Sequence, residues 1–255
     1  MNKIKYLYIN GCSFTTDDFD DWSDDVGYDG TDYTKCRANW GFKLAEKLGI
    51  VNSMPDYITT LSKYDVNRIG NPELLSVLKY FNESRGGSSN GRIYNSTIKY
   101  LKDVDDEILK NTMVVICWSF PHRFEEIIGN LFDEVGIDLG AAATRVEKWL
   151  TDSSAKYVVG LHNILESSHI MNYHYFTSSL VRDKVLEYNK FINTNNFMLD
   201  KTYHADHTLL DNPDYLQVDY VKGTGLSPTD DLHPGLKSID IATEEVYKRI
   251  LNYNG

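Results

Sequence analysis

Residues 113–118, Met-Val-Val-Ile-Cys-Trp, form an apolar run that no charged or amide side chain interrupts. A strand with one face in water alternates apolar and polar residues, so this run is typical of a strand buried on both faces of a parallel sheet. A second, mostly apolar run, Ile4–Ile9, ends at the turn signal Asn10-Gly11. A sheet built from such strands needs helices on both faces, which constrains the chain to an α/β fold.

Helical spacing alternates with these strands. It predicts helices over 40–48 (stopped by Gly49), over 71–81, over 90–101 behind a Ser88-Ser89-Asn90 cap, through 154–193, and over 239–251. Short strands are predicted at Ile50-Val51 and 215–220, and a loop at 230–235. The alternation predicts one domain spanning 1–255, a three-layer α/β/α sandwich with a mainly parallel sheet, with insertions at 16–39 and 121–150.

The charge balance excludes some classes of function. The 255 residues contain 26 basic and 37 acidic side chains, for a net charge of −11. A nucleic-acid binder needs a basic footprint and a peripheral lipid binder needs a polybasic patch, so neither partner is expected. Three cysteines without a Cys-x-x-Cys spacing argue against a disulfide framework. We find no signal peptide or membrane span, which predicts a cytoplasmic protein.

Two segments carry candidate catalytic residues. Ser13 lies in the turn that follows the first predicted strand, where an α/β sheet binds ligands. Asp230-Asp231-Leu232-His233 places a histidine three residues after a carboxylate, and Asp231 is a competing orienting acid. A serine hydroxyl needs a base and an orienting acid to become a nucleophile, and these segments supply all three types. Taken alone, Ser13 is better explained as the cap of a turn or helix, and His233 is explained equally well as a surface residue.

A third segment, Gly86-Gly87-Ser88-Ser89-Asn90-Gly91, precedes a predicted helix. Glycines permit close backbone approach, and a helix N-terminus favours an anion or oxyanion. The segment lacks the Gly-Lys pair of a nucleotide P-loop, and a flexible turn explains it equally well.

Together these blocks resemble the SGNH (GDSL-type) hydrolases, and in motif style the SGNH-like proteins of bacteriophage genomes. The resemblance implies an SGNH/flavodoxin-like fold, with Ser13 as nucleophile, His233 as base and Asp230 as orienting acid. It also implies an oxyanion hole formed by the backbone N–H groups of Ser13 and Gly87. No cofactor is required by this mechanism.

One block departs from the family pattern. After its central strand the family has Gly-x-Asn-Asp, whose Asn donates to the oxyanion, whereas here Ser119 occupies that place. Removal of one oxyanion donor typically lowers the rate roughly 10²–10³-fold, so either Ser119 or Asn90 replaces it, or activity is weak. Trp118, Arg123 and Asp231 are predicted to contact the substrate.

The resemblance predicts a serine esterase, with O-acetyl groups on a carbohydrate as one substrate class. A binding protein of a phage particle and an acyltransferase to a sugar are the alternatives, so a glycan, a virion component or a second copy of the chain are candidate partners. Two weaker features are the acidic segment 17–32, which lacks EF-hand spacing, and the pair His204 and His207, which lacks a third metal ligand. No metal site is therefore predicted.

Overall fold

The computed structural model describes residues 4–12, 40–52, 78–84, 88–121, 140–202, 220–222, 232–234 and 236–252. Positions 140–145, 220–222, 232–234 and 236–238 are described as backbone only.

Four parallel strands form the sheet: β1 (Tyr6–Asn10), β2 (Tyr80–Asn82), β3 (Thr112–Trp118) and β4 (Met171–Phe176). Their order is β2-β1-β3-β4, with Leu7 opposite Tyr80 and Met113, and Val115 opposite Tyr173. Every residue of β3 is buried, as its apolar run predicts. Beyond β4, a single bridge from His174 to Phe197 continues the sheet. The predicted parallel α/β architecture is confirmed.

The helices are α1 (Trp40–Lys47), α2 (Asn90–Asp103), the short α3 (Asp106–Leu109), α4 (Gly140–Ser167), α5 (Ser179–Leu186) and α6 (Leu236–Asn252). Successive side chains of a strand point to opposite faces of the sheet. On one face, Asn10 bonds the Ile93 carbonyl of α2. On the other, Ile9 lies against Gly41 of α1. Helices therefore cover both faces, which makes three layers.

The α1 side of the sheet depends on a close approach. A Cβ at Gly41 would lie 2.8 Å from Ile9 Cδ1 and 2.9 Å from the Tyr80 hydroxyl, so any larger residue there would have to displace the ends of these two buried side chains. Helix α1 ends as predicted at Gly49, whose φ of 68° suits a helix C-terminus. Helix α6 packs along α1, where Lys47 pairs with Glu244 at 2.7 Å and Lys43 with Asp240.

Several predicted elements differ from the structure. Ile50 and Val51 are not in a strand. Of the predicted helix 71–81, positions 71–77 lie outside the described residues, and its last two residues belong to β2 (Tyr80–Asn82). The predicted helical region 154–193 is interrupted by β4. Residues 232–234, predicted as loop, form β6 (Leu232–Pro234), which pairs antiparallel with β5 (Tyr220–Lys222). The three strands that were not predicted, β2, β4 and β6, are stabilised by pairing with a strand that is distant in sequence or across a turn, which periodicity along the chain does not report.

The predicted insertion at 16–39 lies outside the described residues, as does most of 121–150, except that 140–150 begins α4. Among the residues described, no helix is long and apolar enough to cross a membrane. Cys12 and Cys117 are buried, and Cys36 lies outside the described residues.

Candidate functional site

The strand order identifies one edge of the sheet as the place for a site. From β1 the chain proceeds to β2 on one side and then to β3 on the other, so the order reverses between β1 and β3. Open α/β sheets bind ligands in the crevice at the carboxyl ends of the two strands where this reversal occurs. Here those ends are Asn10 and Trp118. Ser13 follows three positions after Asn10, outside the described residues, and Ser119 directly follows β3.

Asn10 fixes the carboxyl end of β1. Its amide nitrogen lies 2.8 Å from Ser96 Oγ, 2.9 Å from Thr97 Oγ1 and 3.1 Å from the Ile93 carbonyl, all on α2. Its Oδ1 accepts the N–H of Gly11 at 2.8 Å. The side chain is fully buried. Asn10 thus ties the first residue of the turn that leads to Ser13 to a helix.

The Asn10 side chain also contacts Tyr8, which in turn is hydrogen-bonded to Glu83. The Tyr8 hydroxyl donates to Glu83 Oε2 at 2.7 Å, and Asn10 Nδ2 lies 3.1 Å from the same hydroxyl. Burial, and then the Glu83 carboxylate, raise the pKa of Tyr8 well above its ordinary value. Tyr8 therefore keeps its proton and remains the donor to Glu83.

Asn90 holds the segment that follows β3. It is the first residue of α2, where Ser89 is the cap and accepts the Arg92 N–H at 3.1 Å. The Asn90 side chain accepts the Ser119 N–H at 2.7 Å and donates to the Ser119 carbonyl at 3.0 Å. It also donates to Ser154 Oγ of α4 at 3.0 Å. Both hydrogens of its amide are therefore directed to protein oxygens.

The Ser119 side chain contrasts with its backbone. Ser119 is 0% exposed, yet its hydroxyl oxygen has no hydrogen-bond partner among the described residues. A buried polar group without a partner costs about 1–3 kcal/mol, so such groups are uncommon and call for an explanation. The backbone of Ser119 is thus held on both sides by Asn90, while its hydroxyl remains available.

Trp118, the residue before Ser119, belongs to a buried polar network. Its indole Nε1 donates to His174 Nδ1 at 3.1 Å, and His174 Nε2 lies 3.0 Å from Asn172 Oδ1. The same Oδ1 lies 3.0 Å from Nδ1 of His162 on α4. Asn172 Nδ2 in turn donates to Glu166 Oε1 at 2.8 Å. The network joins β3, β4 and α4 directly beneath the candidate edge.

The donors fix the protonation of both histidines. An indole N–H can only donate, so His174 Nδ1 accepts and its Nε2 carries the proton given to Asn172. The backbone N–H of Asn193 donates to His162 Nε2 at 3.0 Å, so His162 Nδ1 carries the proton. Burial lowers the pKa of His174 well below its usual value, and His162 adds to that shift. Burial also lowers the pKa of His162. Both rings are therefore neutral.

This arrangement predicts acid sensitivity. Both histidines have a lower pKa when folded than when unfolded, so below about pH 6.5 the unfolded state binds more protons. Stability is then lost as the pH falls, by up to about 1.4 kcal/mol per pH unit for each histidine. Urea unfolding followed by circular dichroism between pH 7 and pH 5 measures the slope. The matched variant is His169→Asn, which removes an exposed histidine outside the network and keeps a residue that tolerates its φ of 56°. A flat wild-type profile would contradict the assignment.

Only some of the predicted site residues lie in the part of the chain that the structure describes. Trp118, predicted to contact substrate, is fully buried and hydrogen-bonded to His174, so it supports the edge from inside. His233 is described as backbone in β6, opposite Val221 and three positions before α6 begins. The remaining predicted residues lie outside the described part of the chain: Ser13, Gly87, Arg123, Asp230 and Asp231.

The candidate metal ligands His204, His207 and the acidic segment 17–32 also lie outside the described residues. Within the described ranges, no group of three or more His, Cys, Asp or Glu side chains is placed to hold a metal ion.

Sequence reasoning missed the network of His162, Asn172 and His174. Its signal was present in β4, Met-Asn-Tyr-His-Tyr-Phe, where Asn172 and His174 are two apart and so share one face of a strand. Polar residues on one face of an otherwise aromatic strand indicate a buried polar cluster, once the segment is recognised as a strand.

Comparison with known proteins adds a distant likeness. No family model matches the chain, and no curated protein matches it. Among solved structures, the chain is similar to a protein from Bacteroides fragilis described as a "putative acylhydrolase", with 13% identity and a TM-score of 0.40. The match covers 97% of this chain and 87% of that one. At this identity and TM-score, no residue role is transferred from that protein.

Proposed function

We propose that the chain is a serine esterase whose site lies at the carboxyl ends of β1 and β3. Ser13 is the nucleophile, His233 the base and Asp230 the acid that orients it. The observation that carries the proposal is the Ser119 hydroxyl, which is buried without a partner at the edge where parallel sheets bind ligands. An oxygen that develops negative charge in the reaction supplies the acceptor that this hydroxyl lacks.

In the proposed reaction, Ser13 Oγ attacks the acyl carbon of the ester while His233 takes the hydroxyl proton. The carbonyl oxygen becomes an oxyanion and accepts hydrogen bonds from the Ser13 and Gly87 N–H groups and from Ser119 Oγ. The imidazolium then protonates the leaving alkoxide, which departs as the alcohol. Water, deprotonated by His233, attacks the acyl-enzyme and releases the carboxylic acid, which restores Ser13.

Asn90 has a positioning role in this proposal. Sequence reasoning made it an alternative oxyanion donor, but both of its amide hydrogens are directed to Ser119 O and Ser154 Oγ. By bonding the N–H and the carbonyl of Ser119, Asn90 fixes the backbone from which the Ser119 hydroxyl projects. Catalytic donors that are held in place before the reaction need no reorganisation at the transition state.

Replacement of the nucleophile tests the proposal. Ser13→Ala is expected to lower kcat/KM for p-nitrophenyl acetate by at least about 10³-fold, because the acyl-enzyme has no oxygen on which to form. Ser167→Ala is the matched control: this exposed serine bonds only the Ile164 carbonyl of its own helix. Circular dichroism verifies that both variants are folded.

Two results contradict the proposal. Turnover that persists unchanged in Ser13→Ala assigns the reaction to other residues. A folded wild-type protein that hydrolyses no ester favours the second candidate function, a binding protein that retains the fold. The presence of Ser119 where the family has Asn also favours that candidate.

A further inference from the structure

A cavity of about 230 Å³ lies between α2 and α4, beside the segment that follows β3. Its walls come from the first turns of α2, from Pro121, and from one face of α4 that includes Trp149, Ser153 and Tyr157. The described residues that line it are all uncharged. A cavity without charged groups is suited to a neutral ligand, because an ionic one would leave its own charge without a partner.

Two aromatic side chains border the cavity and remain open to solvent. Trp149 is 63% exposed and Tyr157 is 38% exposed. Tyr157 is positioned by Tyr94, with ring centroids 5.4 Å apart, and its hydroxyl would lie 3.5 Å from a Cβ placed on Gly91. Trp149 and Tyr157 therefore present aromatic surface to a ligand that enters the cavity from solvent.

The remaining walls are rich in hydrogen-bonding groups. They include the hydroxyl of Ser153 and the amide of Asn95. The backbone N–H groups of Asn90 and Gly91 lie in the first turn of α2, where no carbonyl of the helix can accept them. Aromatic faces beside neutral donors and acceptors are the chemistry that binds a sugar: the C–H face of the ring packs on the aromatic side chain, and the hydroxyls bond the polar groups.

One side chain connects the cavity to the candidate catalytic edge. Asn90 lines the cavity and bonds both the N–H and the carbonyl of Ser119. Ser154 also lines it and accepts from Asn90. Only the Asn90 side chain therefore separates a ligand in the cavity from the backbone of Ser119.

We propose that this cavity binds a neutral pyranose ring, and that it is the subsite for the sugar of a carbohydrate ester. That the cavity binds a sugar follows from the cavity alone. That the bound sugar carries an ester rests on the proposed function of Ser13.

Binding of sugars without any ester group tests the subsite. The probes are xylotetraose, cellotetraose and tri-N-acetylchitotriose, titrated into the full chain by calorimetry. At least one is expected to bind, and Trp149→Ala is expected to weaken it roughly tenfold. Phe191→Ala is the matched control, since Phe191 is an aromatic residue 67% exposed that lies outside the cavity. Absence of binding by every probe, or equal effects of the two variants, overturns the proposal.

Kinetics separate this proposal from the esterase proposal. With acetylated xylotetraose, Trp149→Ala is expected to raise KM roughly tenfold. Phe191→Ala, which lies outside the cavity, is expected to leave kcat/KM unchanged for both acetylated xylotetraose and p-nitrophenyl acetate. If the wild type hydrolyses neither ester but binds a sugar, the esterase proposal fails and the subsite stands. If it hydrolyses p-nitrophenyl acetate through Ser13 but binds no sugar, the subsite fails and the esterase stands.

Discussion

Ser119→Ala is expected to lower kcat for p-nitrophenyl acetate by about 10²–10³-fold while leaving the protein as stable as the wild type or more so. Stability and activity are expected to change in opposite directions because the hydroxyl lacks a partner in the described part of the folded protein and gains one in the proposed transition state. In the folded protein the hydroxyl is buried and has no partner among the described residues, so its removal relieves a desolvation cost of up to about 1–3 kcal/mol. In the proposed transition state the same hydroxyl donates to the oxyanion, so its removal leaves that charge less stabilised.

A second buried hydroxyl provides the comparison for stability. Thr177 Oγ1 donates to the Trp118 carbonyl at 2.9 Å, directly beside the same edge. Thr177→Val keeps the shape and loses the hydrogen bond, so we expect it to be destabilised by about 1 kcal/mol. Urea unfolding of both variants, with kcat measured under the same conditions, makes the contrast visible. If Ser119→Ala retains full kcat, Ser119 is not an oxyanion donor, and the SGNH-like interpretation loses its third block.

The fold could be predicted where local signals and burial agree. A pattern of only a few residues was enough to predict three features: strand β3 from its continuous apolar run, the start of α2 from its Ser89 cap, and the end of α1 from Gly49. Strand β2 could not be predicted in this way. Its three residues, Tyr80–Asn82, continue a leucine-spaced pattern and are a strand because Leu7–Ile9 pairs with them.

The candidate site was predictable in its location and less so in its contacts. The resemblance to the SGNH hydrolases identifies Ser119 and Asn90 as candidate oxyanion donors. Their mutual hydrogen bonds join residues 29 apart in sequence, and no spacing rule reports such a pair. For the same reason Trp118 was predicted to contact substrate, whereas its partner His174 is 56 residues away and the indole is buried.

The largest loss of stability is expected from Asn172→Leu, because a single amide serves most of the buried network. Asn172 Oδ1 accepts from both histidines, and from Asn196 Nδ2 at 3.2 Å. Leucine fills the space and leaves the N–H groups of His162 and His174 buried without this acceptor. Each such group costs about 1–3 kcal/mol, so we expect a loss of about 3 kcal/mol or more. Urea unfolding at pH 7 measures it, and a loss below about 1 kcal/mol would contradict the network as described.

Asn172→Asp separates the role of the hydrogen bonds from that of the packing. A carboxylate still accepts from His162 and His174, but it loses the hydrogen bond to Glu166 Oε1 and faces that carboxylate with a like charge. The variant is therefore expected to be less stable than the wild type at pH 7. It also places a negative charge beside two imidazoles, which favours their protonated forms and raises their pKa. The loss of stability between pH 6.5 and pH 5 in the wild type should therefore flatten in Asn172→Asp. An unchanged slope would show that other groups cause the acid sensitivity.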